Sequence, residues 1–226
     1  MKLDARRITW TLAILAMVLT ALPGEAQSRR LQSQGRTYEV TITNLTRGQV
    51  FSPPIVYSHR SSFQLFTPGQ PAIPELAGVA EDANGDPLVA LLTADARVAD
   101  VSVGDDVILP GESMTVRINA PGNARLISLL GMLVTTNDAF YAAGSRAPSY
   151  QVHTYAQAWD AGSELNTQDC AHIPGPPCFN GGVRVEDDAE GYVYIHAGIQ
   201  DRGDLDPMDH DWRNPVALVK IVRANR

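Results

Sequence analysis

The sequence predicts an all-β protein, a single antiparallel β-sandwich domain with short helical segments that follows an N-terminal signal peptide. Segments in which apolar and polar residues alternate recur along the chain, and clusters of Gly, Pro, Asn and Asp separate them. The 226 residues include 18 glycines and 15 prolines, a composition that favours many turns over a helical bundle. The hydrophobic fraction of 44% is enough to build a core.

Residues 1–26 are typical of a secretory signal peptide. A basic start is followed by an apolar run over residues 8–22, and the small residues Gly24 and Ala26 then mark a cleavage site. A retained membrane anchor is the alternative, but the run is shorter than the ~20 residues that span a bilayer. We therefore expect an exported protein (periplasmic, cell-surface or secreted) with no integral membrane segment after cleavage.

The domain is predicted over residues 37–226, after a disordered polar leader at 27–36. The predicted strands cover residues 38–44, 55–57, 113–119, 125–134, 150–159, 191–196 and 216–222. Residues 125–134 are almost continuously apolar, so we expect both faces of that strand to be covered. Residues 74–79 predict a short helix because proline is tolerated in a first turn, whereas 87–94 fits a helix or a strand.

The net charge and the cysteine spacing indicate which partners and which cross-link to expect. The formal net charge of −7 argues against a nucleic-acid partner, since such binding depends on Lys and Arg. Cys170 and Cys178 enclose a Pro- and Gly-rich segment, which favours a local disulfide in an oxidising compartment. A metal site completed by His172 is the alternative, but it lacks the Cys-x-x-Cys spacing of structural zinc.

Three acidic residues form a candidate metal site. Asp160 and Glu164 flank Ala-Gly-Ser after a predicted strand, and a tight turn there would bring together carboxylates that extended chain would hold ~13 Å apart. Asp138 ends the loop 135–138, and we expect this loop to lie at the same edge of the sandwich. Carboxylates in mutual contact repel unless a cation lies between them, and calcium accepts such oxygen ligands in flexible geometry.

Other acidic segments predict only solvated turns. Residues 82–86 imitate the start of an EF-hand loop, but Pro87 and Thr93 replace the glycine and glutamate that this loop requires. The remaining acidic segments, 186–188 and 204–211, fit ordinary surface loops.

Four segments resemble the bacterial branch of the spondin domain family, whose best-known members are of the F-spondin type. They are TNLTRGQVFSPP at 43–54, MLVTTNDAF at 132–140, WDAGSE at 159–164 and DWRNPVA at 211–217. The resemblance extends over residues 38–222 and implies a β-sandwich with a calcium ion at one edge. The implied ligands are Asp138, Asp160 and Glu164; the last position is commonly Asp in animal members, and Glu is one methylene longer.

We therefore expect a non-enzymatic, calcium-binding adhesion or protein-interaction module whose partner is an unknown extracellular protein or glycan. One alternative is a carbohydrate-binding module with structural calcium, with Phe140, Tyr141 and Trp159 as its candidate ligand surface. The weakest alternative is a calcium-assisted hydrolase with Asp138 or Glu164 as general base, because the sequence identifies no nucleophile or acid partner.

Overall fold

Nine antiparallel strands dominate the computed structural model, which describes residues 35–224. The predicted signal peptide and residues 27–34 of the leader lie outside the described residues. The strands are β1 (Arg36–Asn44), β2 (Ile55–His59), β3 (Val98–Val103), β4 (Ser113–Ala120), β5 (Leu126–Met132), β6 (Ala139–Arg146), β7 (Gln151–Asp160), β8 (Tyr194–Ile195) and β9 (Ala217–Arg223). Three α-helices accompany them: α1 (Pro74–Asp82), α2 (Asp86–Ala94) and α3 (Pro207–His210). The predicted all-β class is confirmed.

Strand β7 pairs with different strands in its first and last parts. The strands are hydrogen-bonded in the order β3-β2-β5-β6-β7-β9-β1-β4, and β8 pairs with the end of β7. The first part of β7, Gln151–Ala156, pairs with β9, whereas residues 157–160 pair with β6. This change of partner sets Asp160 opposite Ala139, the first residue of β6.

The two terminal strands of this order, β3 and β4, are joined by side chains. The Asp100 carboxylate on β3 accepts hydrogen bonds from the backbone N–H of Asn119 on β4 (2.7 Å) and from its side-chain amide (2.9 Å). The hydroxyl of Ser58 on β2 donates to the carbonyl oxygen of Asn119 (2.6 Å). Both backbone polar groups of Asn119 are therefore satisfied.

The core consists of two hydrophobic clusters on opposite sides of β5. Ile127 and Leu129 belong to the cluster that β1, β4 and β9 share with β5, and Leu130 belongs to the cluster formed with α1 and α2. The expectation that both faces of this strand are covered is confirmed. Within residues 35–224, no helix is both long and apolar enough to cross a membrane.

The segment that fitted a helix or a strand forms helix α2. Leu88 and Leu92, four residues apart, are both fully buried in the second cluster, and this spacing places them on one face of a helix. The sequence did not predict β3 or β6. The strand predicted at 191–196 is reduced to Tyr194–Ile195.

Candidate functional site

The loop before β6 and the turn after β7 lie side by side. Asp138 immediately precedes β6 and Asp160 ends β7, and the pairing of Ala139 with Asp160 aligns the two strand ends. The backbone N–H of Ala161 then donates to the carbonyl oxygen of Asp138 at 3.1 Å. Strand register therefore brings two segments together that are more than twenty residues apart in the chain.

The Asp138 carboxylate holds the turn after β7. Its Oδ2 atom accepts hydrogen bonds from the backbone N–H groups of Ser163 (2.8 Å) and Glu164 (3.0 Å), and from the Ser163 hydroxyl (3.3 Å). The side chain is fully buried, and its second oxygen, Oδ1, has no hydrogen-bond partner among the described residues. A buried carboxylate oxygen without a partner is costly unless another group neutralises it.

Gly162 is required by the geometry of the turn. Its φ is +66°, in the left-handed region that glycine adopts most readily, and a Cβ there would overlap the backbone of Tyr192. Its backbone N–H donates to Asp160 Oδ1 at 2.8 Å. This hydrogen bond fixes the Asp160 carboxylate against its own turn.

The other oxygen of Asp160 is held by a polar network. Asn166 donates from Nδ2 to Asp160 Oδ2 at 2.6 Å and to Tyr194 Oη at 3.1 Å. His196 Nδ1 accepts the backbone N–H of Gly198, so in the neutral ring the proton is on Nε2, which donates to Asn166 Oδ1 at 3.0 Å. Burial lowers the pKa of His196 to about 4, so the ring is neutral at pH 7.

Glu164 is 2% exposed, and its Oε2 atom is buried with no hydrogen-bond partner among the described residues. Burial, followed by the charge of Glu81, raises the pKa of Glu164 to about 8. Burial likewise raises the pKa of Asp160 to about 6. The pKa of Asp138 lies well above its usual range, first because of burial and next because of the charge of Asp160. All three carboxylates are thus placed where negative charge is unfavourable.

These carboxylates have the chemistry of a site for a hard cation. Calcium binds carboxylate oxygens with variable coordination, and the unpartnered Asp138 Oδ1 and Glu164 Oε2 are oxygens of that kind. Both Asp160 oxygens accept hydrogen bonds from the protein but retain lone pairs. Among residues 35–224, no group of three or more His, Cys, Asp or Glu side chains is arranged as a metal site in this structure.

Two of the three aromatic residues predicted as a ligand surface are in the core, so that prediction is wrong for them. Phe140 and Tyr141 are fully buried because successive residues of β6 face the two hydrophobic clusters. Tyr141 stacks on Phe51 and donates its hydroxyl hydrogen to a backbone carbonyl. Trp159 is partly exposed and packs edge-on against Phe66, with ring centroids 5.4 Å apart.

The predicted disulfide between Cys170 and Cys178 is present. In the acidic segment 204–211, two carboxylates have local structural roles. Asp206 caps α3 by accepting the backbone N–H of Met208 at 2.8 Å, and Asp211 accepts that of Ile199 at 3.0 Å.

Sequence reasoning missed Glu81, Arg184 and Asn166 as neighbours of the site. Glu81 is 5% exposed on α1, and its Oε2 atom lies 2.6 Å from Arg184 Nη1. A glutamate among the apolar residues of α1 was the available signal, because buried glutamates are rare unless paired.

A scan against protein-family models and a search of curated proteins each found no match for this chain.

Proposed function

We propose that this chain is an exported, spondin-like, calcium-binding β-sandwich that acts as a non-enzymatic adhesion or protein-interaction module. Calcium has a structural role in this proposal. The observation that carries it is the pair of buried carboxylate oxygens, Asp138 Oδ1 and Glu164 Oε2, that lack any partner among the described residues. Native proteins rarely leave such atoms unsatisfied, and a bound cation is one group that satisfies them.

Asp138, Asp160 and Glu164 would hold the ion, and calcium would supply the positive charge that their buried carboxylates need. Asp138 already links the loop before β6 to the turn after β7 through backbone hydrogen bonds. A cation shared by these segments adds to that link and fixes the shape of the neighbouring surface. At a hundredfold excess of calcium over Kd, binding to the folded state alone adds about 2.7 kcal/mol of stability.

Calorimetric titration and thermal unfolding test the metal assignment. Wild-type protein should bind calcium and unfold at a higher temperature in calcium than in EGTA. Glu164→Gln should lose most of this response because it replaces a charged ligand oxygen. Glu186→Gln is the matched control, since Glu186 is exposed. An unchanged midpoint in calcium, with no binding heat, would eliminate the metal site.

The interaction role is tested by affinity capture from the exterior of the native cell. Immobilised wild-type protein should retain an extracellular protein or glycan in calcium and release it in EGTA. If Glu164→Gln has lost calcium binding but captures the partner as well as wild type does, partner binding does not depend on the metal.

A further inference from the structure

A strap of residues 182–185 crosses from helix α1 to the turn that carries Glu164. At one end, the backbone N–H of Gly182 donates to Asp82 Oδ1 at 2.7 Å. At the other end, the backbone N–H of Leu165 donates to the carbonyl oxygen of Val185 at 2.9 Å. Arg184 therefore sits between α1 and the residue that follows Glu164.

Arg184 pairs with two carboxylates at the end of α1. Its Nη1 atom lies 2.6 Å from Glu81 Oε2, and its Nη2 atom lies 2.7 Å from Asp82 Oδ2. The two acidic side chains are 4% and 22% exposed, whereas that of Arg184 is 38% exposed. The guanidinium thus supplies positive charge to a largely buried carboxylate from the solvent side, an arrangement in which arginine is especially effective.

The Glu81–Arg184 pair lies beside the turn that carries Glu164. Ala80, next to Glu81, and Ala161, in the turn before Glu164, pack in one hydrophobic cluster. Val185, next to Arg184, accepts the backbone N–H of Leu165, the residue that follows Glu164. Glu164 is itself almost completely buried and keeps one unpartnered oxygen.

We propose that Glu81 and Arg184 set the divalent-cation affinity of this site: Glu81 adds negative charge that favours the cation, and Arg184 is a built-in cation that opposes it. The inference rests on the proposed calcium site and assigns it two residues beyond Asp138, Asp160 and Glu164. By linkage, a cation bound at Glu164 weakens the hold of Arg184 on the carboxylates by the same factor that Arg184 weakens cation binding.

Calcium titration calorimetry of four proteins tests the proposal. Arg184→Gln should bind calcium at least about fivefold more tightly than wild type, because a unit positive charge is removed beside a divalent ion. Glu81→Gln should bind it more weakly by a similar factor. Arg184→Lys keeps the charge and should stay close to wild type. Arg213→Gln is the control, since Arg213 pairs with Asp211 in a different loop.

The outcomes separate the two proposals. If wild-type protein shows no calcium binding, the proposed site itself fails. If wild type binds calcium and Arg184→Gln has an unchanged Kd, the site stands and the affinity-setting role of Arg184 is wrong. A lower unfolding temperature of Arg184→Gln in EGTA, with wild-type calcium affinity, would show that the strap is only structural. Arg184 is partly exposed, so this variant tests the idea even if Glu81→Gln does not fold.

Discussion

Replacing Asp138 by Asn and by Ala separates its two roles, which are to hold the turn and to bind the cation. The Asp138 carboxylate accepts two backbone N–H groups through one oxygen, while the other oxygen has no partner among the described residues. Asparagine keeps one oxygen that can accept both N–H groups, and it removes a buried negative charge. Alanine leaves both N–H groups without an acceptor.

The expected magnitudes follow from these contacts. Each buried donor left unsatisfied costs about 1–3 kcal/mol, so Asp138→Ala, which leaves two of them, should lower the free energy of unfolding in EGTA by roughly 2–6 kcal/mol. Asp138→Asn should stay within about 1 kcal/mol of wild type in EGTA, since its hydrogen bonds survive. Both variants should lose most of the stabilisation that calcium gives to wild-type protein.

Urea unfolding at fixed pH, in EGTA and in calcium, measures both effects. Asp204→Asn is the control, because Asp204 accepts one backbone N–H, that of Cys170, in an exposed setting. Equal stability of Asp138→Asn and Asp138→Ala in EGTA would refute the role of the two hydrogen bonds. A full calcium response in Asp138→Asn would refute the role of this carboxylate as a ligand.

Two further predictions concern the pH dependence of stability and Gly162 in the turn after β7. The pKa of Glu164 is raised to about 8 and that of Asp160 to about 6, so the folded chain holds protons that the unfolded chain has already released. In EGTA, the stability of wild type relative to Glu164→Gln should therefore fall as the pH rises from about 4.5 to about 8; urea unfolding across this range checks it, and a rise would contradict it. Gly162→Ala should lower the thermal unfolding midpoint more than Gly111→Ala, because both glycines have positive φ but only at Gly162 would a Cβ meet backbone. Equal midpoints would contradict the close approach to Tyr192.

The sequence predicted most strands because alternation with period two is a local signal. This signal is weak in strand β6, because Ala142, Ala143 and Gly144 give little difference in polarity between its two faces. The same strand explains the error at Phe140 and Tyr141. In a sandwich whose outer face is solvated, one of two successive strand residues is exposed to solvent. Here α1 and α2 cover the outer face of β6, so Phe140 and Tyr141 are both buried.

The candidate site was predictable only in part. The acidic residues and the small residues of the turn are visible in the sequence, whereas the contact between Asp138 and the turn depends on the pairing of Ala139 with Asp160. Glu81 and Arg184 come from a helix and a distant loop, and no local pattern connects either of them to Glu164. Their relation to the site is a consequence of tertiary packing.

The side chains that bridge β3 and β4 restrict the addition of a further strand where these two strands meet. An outermost strand normally offers free N–H and C=O groups to a strand from another molecule. At Asn119, the Asp100 carboxylate and the Ser58 hydroxyl already occupy both groups. An incoming chain would have to displace a charged acceptor before it could extend the sheet, so this margin is a poor template for fibril growth.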